Sequence, residues 1–211
     1  VCRGAGEDDA EVIQCYLTEN DCYKAGRKIT PKGVMVHSTG ANNPYIKRYV
    51  QPDTGGIGEN KNQNDWNRPG VQKCVHAFIG RLENGEIATV QTLPWNMRGW
   101  HAGGNANNTH IGFEICEDGL GDRGYFEKVY AAAADLCAQL CKAYKLDPMA
   151  DGVLICHSEG HKRGIASNHA DVLHWWPKFG KDMEDFRADV KRQMEEESMT
   201  YEDFKTYMER Y

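Results

Sequence analysis

The stretch ICHSEGHKRGIASNHADVLHWW, residues 155–176, gathers four of the chain's eight histidines and one aspartate. Imidazole nitrogen and carboxylate oxygen are donors that a divalent metal such as zinc prefers, and imidazole also exchanges protons near neutral pH. His157 and His161 are four apart, the spacing at which two histidines on one helical face share an ion. Yet His157 closes an apolar run, and Gly160 and Gly164 argue against a helix, so His161 reads as a loop residue. His37 closes a second apolar run, GVMVHS. Histidines at the carboxyl ends of separate strands converge on one crevice of an α/β sheet. A third ligand must then come from the loop beyond His157. His161, His169, Asp171 and His174 all qualify, and spacing does not choose among them.

A histidine at a strand end is more often a hydrogen-bonded structural residue than a ligand. Its co-occurrence with Glu114 weighs against that reading here. Glu114 lies in HIGFEICED between Phe113 and Ile115, on the side of a strand shared with Gly112 and Cys116. A carboxylate on a mostly apolar strand is costly to bury unless it is paired or functional.

Alternation and turn residues predict the elements that position these groups. Strands are expected at 33–38, 73–80, 85–94, 109–116 and 151–158, the second and third forming a hairpin around RLENGE. A helix is expected over 125–146 and another from near Lys181 past Val190. Interleaved strands and helices predict a single α/β domain, a central mixed β-sheet flanked by helices, with the metal site at strand ends. The Gly- and Asn-rich loops 39–44, 53–70 and 102–108 are expected to build the binding surface.

The domain is assigned to residues 11–195, with an N-terminal tail at 1–10. In the C-terminal segment 196–211, Thr200 and Asp203 resemble a capping box before a stripe of Phe204, Tyr207, Met208 and Tyr211. A helix this short does not sustain itself in water, so the segment reads as the start of a further module.

Composition limits the function classes. With 40% hydrophobic and 27% charged residues the chain is an ordinary globular protein. A net charge of −6 argues against a nucleic-acid partner. No apolar run is long enough for a transmembrane segment, and VCRGAGEDDA lacks the features of a signal peptide. The eight cysteines form no CxxC pair, and four sit in apolar runs, so mostly reduced, buried thiols are expected. Oligomeric state is left open.

Taken together, VMVHSTG, VHAFIGRLENGEIATVQTLPWNMRGWHAGG, NNTHIGFEICED, ICHSEG and NHADV resemble the zinc-dependent N-acetylmuramoyl-L-alanine amidases of the type-2 family. That family includes phage amidases and peptidoglycan recognition proteins. The likeness runs over roughly residues 11–192 and is closest to clostridial-type bacterial and phage members. It implies Zn2+ held by His37, His157 and Asp171. In the family a basic residue, usually Lys, stands two positions before the third ligand; here it is His169, implied to stabilise the oxyanion. His174 remains an alternative ligand or a supporting partner. Glu114 takes the general acid/base position, because members that use a tyrosine carry it where Val75 stands. His76, Trp100, His101 and Asn108 fall at substrate-binding positions, with packing as the competing role.

The implied reaction is hydrolysis of the amide joining N-acetylmuramic acid to L-alanine in peptidoglycan, by an autolysin or endolysin acting on the bacterial cell wall. The alternatives are a non-catalytic peptidoglycan-binding module and a zinc amidase acting on another acylated amino acid or peptide.

Overall fold

The structure, a computed structural model, describes residues 12–210, with side chains as far as residue 196. One mixed sheet of six strands runs through it in the order β1-β4-β3-β5-β2-β6. At its centre β2 (Gly33–Asn42) lies between β5 (His110–Glu117) and β6 (Leu154–Cys156), all parallel. The hairpin β3 (Ala77–Arg81) and β4 (Ile87–Gln91) is antiparallel, and β1 (Val12–Gln14) adds a parallel edge to β4.

Alternation assigns the faces. Val34 and Val36 of β2, and Phe113 and Ile115 of β5, are fully buried under the helices α2 (Arg123–Tyr144) and α4 (Met183–Arg210). Asp122 caps α2 by accepting the Tyr125 N–H, and Phe126, Val129, Ala133, Cys137 and Leu140 form its inward stripe. The opposite face is covered by loops. Tyr49, Trp66 and Ile57 pack on Phe78 and Cys116, while Ala102 and Ala106 pack on Met35 and Ile155. With apolar cover on both faces, the central strands read as near-continuous apolar runs. His37 and Glu114 interrupt that apolar cover on the loop side.

Several expectations need correction. His157 opens a short helix, α3 (His157–Lys162), after all. Gly160 is no breaker there: a Cβ would come within 2.7 Å of Met35 Cε, so glycine admits close packing. Gly164, at φ +72°, falls after the helix has ended. β3 begins at Ala77 rather than at residue 73, because Cys74 pairs with Trp100 in an isolated bridge. Cys22 and Cys74 form a disulfide, whereas Cys116, Cys137, Cys141 and Cys156 are free and buried.

The backbone of α4 runs unbroken across the expected boundary at 195. The side-chain stripe expected beyond it, like the tail at 1–10, lies outside the described residues. The sequence reading also passed over β1 and α1 (Asp21–Ala25), three and five residues long. Among the described residues no helix is long and apolar enough to cross a membrane.

Candidate metal centre and active site

Because β6 neighbours β2, the residue following β6 and the fifth residue of β2 lie side by side. His37 and His157 meet there, each less than 5% exposed, with their Nδ1 atoms 3.0 Å apart. Asp171 Oδ2 reaches in from the following loop to 3.3 Å from His37 Nδ1 and 3.4 Å from His157 Nδ1. A tetrahedral zinc ion with bonds of about 2.0–2.1 Å sets its ligands roughly 3.3 Å apart. The donor types and spacing fit that ion, and the structure brings together His37, His157 and Asp171 as a group that could hold a metal.

The outward nitrogens fix the tautomers. If each Nδ1 offers its lone pair to a metal, each Nε2 must carry the proton. His37 Nε2–H then donates to His101 Nδ1 at 2.9 Å, and His101 Nε2–H donates to the His110 carbonyl at 3.2 Å. His157 Nε2–H donates to Ser167 Oγ at 3.1 Å, and the Ser167 hydroxyl passes on to the Ala102 carbonyl at 3.2 Å. One protonation pattern satisfies both chains. It requires neutral rings, and burial lowers the pKa of both His37 and His101, neighbouring imidazoles reinforcing it. Burial alone would push Asp171 up, but when a ring carries its proton on Nδ1 instead, in the metal-free form, His157 and His37 donate to the carboxylate, which outweighs burial and holds it well below the usual range.

Glu114 stands directly opposite His37 in the β2–β5 register. Its Oε2 is buried and has no hydrogen-bond partner among the described residues. Burial, then the Asp171 and Glu117 carboxylates, raise its pKa well above the ordinary value. A cation at the neighbouring donors would pull it back down. Such a group holds and releases a proton within a narrow local geometry, as a general acid/base must.

A cavity of about 430 Å³ opens over these four residues. Trp100, His101 and His169 stand on its wall. His169 lies beside His157 with the rings tilted at 49° and their centroids 4.6 Å apart, and its Nδ1 is 3.1 Å from Ser167 Oγ.

Two expected substrate contacts do not line this cavity. His76 is fully buried: its Nδ1 accepts the Gly112 N–H at 3.0 Å and its Nε2 lies 2.7 Å from the Met97 carbonyl. Both nitrogens are taken by backbone, so His76 is a structural residue behind the wall. Asn108 accepts a hydrogen bond from Arg98 Nε at 2.7 Å outside the cavity.

Nor do the alternative ligands join the donor group. His161 is exposed beside the Ala166 carbonyl, and His174 Nε2 is 2.8 Å from Glu117 Oε1. Lys73 and Ser167 line the cavity without having been singled out from sequence. An exposed lysine and a loop serine carry no local signal, since only the fold brings them here.

A family model described as N-acetylmuramoyl-L-alanine amidase matches residues 25–174, which contain every donor above. The N-acetylmuramoyl-L-alanine amidase XlyA of Bacillus subtilis (strain 168) is 29% identical over 144 residues, 64% of this chain and 40% of XlyA. The chain thus spans about two fifths of that relative's length.

Among solved structures, the hydrolase AmiA of Staphylococcus aureus superposes with a TM-score of 0.63 at 21% identity, covering 89% of this chain and 85% of AmiA. The catalytic domain of XlyA gives 0.54 at 23% identity, covering 85% and 98%. At these identities the structures speak for the fold, a single domain built on a mixed sheet with helices. With the family model covering most of its length, the chain belongs to the N-acetylmuramoyl-L-alanine amidase family.

Proposed function

We propose that this chain hydrolyses the amide bond between N-acetylmuramic acid and L-alanine of peptidoglycan, with Zn2+ held by His37, His157 and Asp171. The observation that carries the proposal is the meeting of three metal donors with a glutamate on the adjacent strand whose Oε2 is buried and unpaired, under one open cavity. Zinc bound there would act as a Lewis acid that polarises a carbonyl and acidifies a water. Glu114 accepts the proton of the attacking water and returns it to the departing amine, because an amide anion is a poor leaving group. His169 donates a hydrogen bond to the oxygen that gains charge in the tetrahedral state. Trp100 and His101, on the cavity wall, bound the space in which substrate lies.

The family assignment and the XlyA similarity support the same bond and the bacterial cell wall as the place of action, as autolysin or endolysin. Residues 11–195 are assigned as the catalytic unit and 196–211 as a separable extension, the matched region ending well before that boundary.

Two measurements test the reading: zinc stoichiometry of the purified protein, then release of free stem peptide from purified cell wall. One zinc per chain and stem-peptide release are expected. Wall binding without release would instead mark a recognition module. Cleavage restricted to small acyl-amino acids would mark a different amidase.

A further inference from the structure

Glu117 lies three residues beyond Glu114 at the end of β5 and is only 3% exposed. Burying a carboxylate is costly unless donors surround it. A single oxygen, Oε1, collects three of them: the Ser38 hydroxyl at 2.6 Å, the Gly40 N–H at 3.2 Å and His174 Nε2 at 2.8 Å. The Glu117 N–H donates in turn to Thr39 Oγ1 at 3.1 Å. These bonds occupy an irregularity of the sheet. β2 sets Ser38 opposite Ile115 but Asn42 opposite Glu117, so residues 39–41 of β2 face residue 116 alone. The carboxylate braces that bulge from the neighbouring strand.

Each partner borders a residue of the active site. Ser38 follows His37, and Ser38, Thr39 and Gly40 belong to the cavity wall. His174 comes three residues after Asp171, and Glu117 itself shares β5 with Glu114. One oxygen therefore ties together the chain leaving the first metal donor, the chain leaving the third, and the strand carrying the acid/base. Closing a bulge needs no link to His174, and satisfying His174 needs no link to β2.

We propose that Glu117 is a positioning residue, holding His37, Asp171 and Glu114 in one mutual geometry through Ser38, Gly40 and His174. The inference rests on the proposed zinc amidase function for its turnover readout; its metal-affinity readout stands apart from any substrate.

The test uses the full chain, with zinc affinity measured by chelator competition and kcat measured at saturating zinc. Glu117→Ala is expected to weaken zinc binding about 10- to 100-fold and to lower kcat more than it raises KM. Ser38→Ala and His174→Ala should each show a smaller loss. Adding either to Glu117→Ala should cost nothing more, because their bonds end on the same oxygen. Glu117→Gln, which keeps an acceptor oxygen at the same reach, should recover most of the loss.

A merely structural role would lower the urea midpoint of these variants while leaving zinc affinity and kcat of the folded protein unmoved. That result in Ser38→Ala and His174→Ala overturns the proposal, even if Glu117→Ala fails to fold. A wild-type protein that binds zinc but leaves cell wall intact refutes the proposed function and not this inference.

Discussion

Two carboxylates that line one cavity are shifted in opposite directions by their surroundings. Asp171 is held ionised by two imidazoles, while Glu114 is left to burial and like charge and rises. Separating their substitutions is therefore informative. Glu114→Gln should keep full zinc and lose turnover by about 10²- to 10⁴-fold, the usual contribution of a general acid/base. Asp171→Ala should lose zinc first, seen as substoichiometric metal after dialysis. An Asp171→Ala protein with full zinc and full activity would remove it from the ligand set.

His76 supplies a pH prediction. Its folded pKa is lowered to about 4 from an ordinary 6.5, by burial against two weaker backbone hydrogen bonds. Between those values the unfolded chain binds a proton that the folded protein refuses. Stability is therefore complete above pH 6.5 and is lost as pH falls toward 4, by up to about 3 kcal/mol from this residue. Urea unfolding at several pH values should show that slope, and His76→Gln should flatten it.

At the scale of elements, β2 and β5 carry the site because alternation turns His37 and Glu114 away from α2, whereas their neighbours Val36 and Phe113 face it. The same alternation brings Gly112 to the site side, and there glycine is required. A Cβ on Gly112 would lie 2.4 Å from His101 Nδ1, and one on Gly99 would lie 2.9 Å from His101 Cδ2. An imidazole ring cannot flex out of such a clash as a methionine tip can. Gly112→Ala should therefore displace His101, release His37 Nε2, and weaken zinc binding about 10- to 100-fold. Chelator competition on the folded variant checks this; unchanged affinity would show that His101 does not orient His37.

On the scale of the whole molecule, the helical face of the sheet holds most of the core, and the loop face holds the chemistry. Loops as long as 53–70 need fastening, and the Cys22–Cys74 disulfide, spanning 52 positions, ties α1 to the segment paired with Trp100. In the chain-entropy model, closing a loop of that length stabilises the fold by about 4 kcal/mol. Reduction, or Cys22→Ser with Cys74→Ser, should lower unfolding free energy by that order in urea titrations. The buried free thiols should stay unreactive until unfolding. Burial, with nearby carboxylates, keeps Cys116 protonated, and burial does the same for Cys137.

The sequence by itself determined five of the six strands, the long helix α2 and the kinds of donor available. These follow from residues two to four positions apart, whose contacts the backbone period sets directly. It also set Glu114 apart, since a carboxylate among apolar neighbours is conspicuous in one dimension. Bringing Asp171, rather than His161 or His174, beside His37 and His157 was left to the tertiary structure. His37 and Asp171 are separated by 134 positions, and no local period links them.

Tertiary structure alone set His101 against His37 Nε2 and His76 in the packing behind it. It alone paired Cys22 with Cys74 and made Gly160 a helix residue. In each case the deciding quantity is the space left by a distant part of the chain, which composition and spacing do not carry.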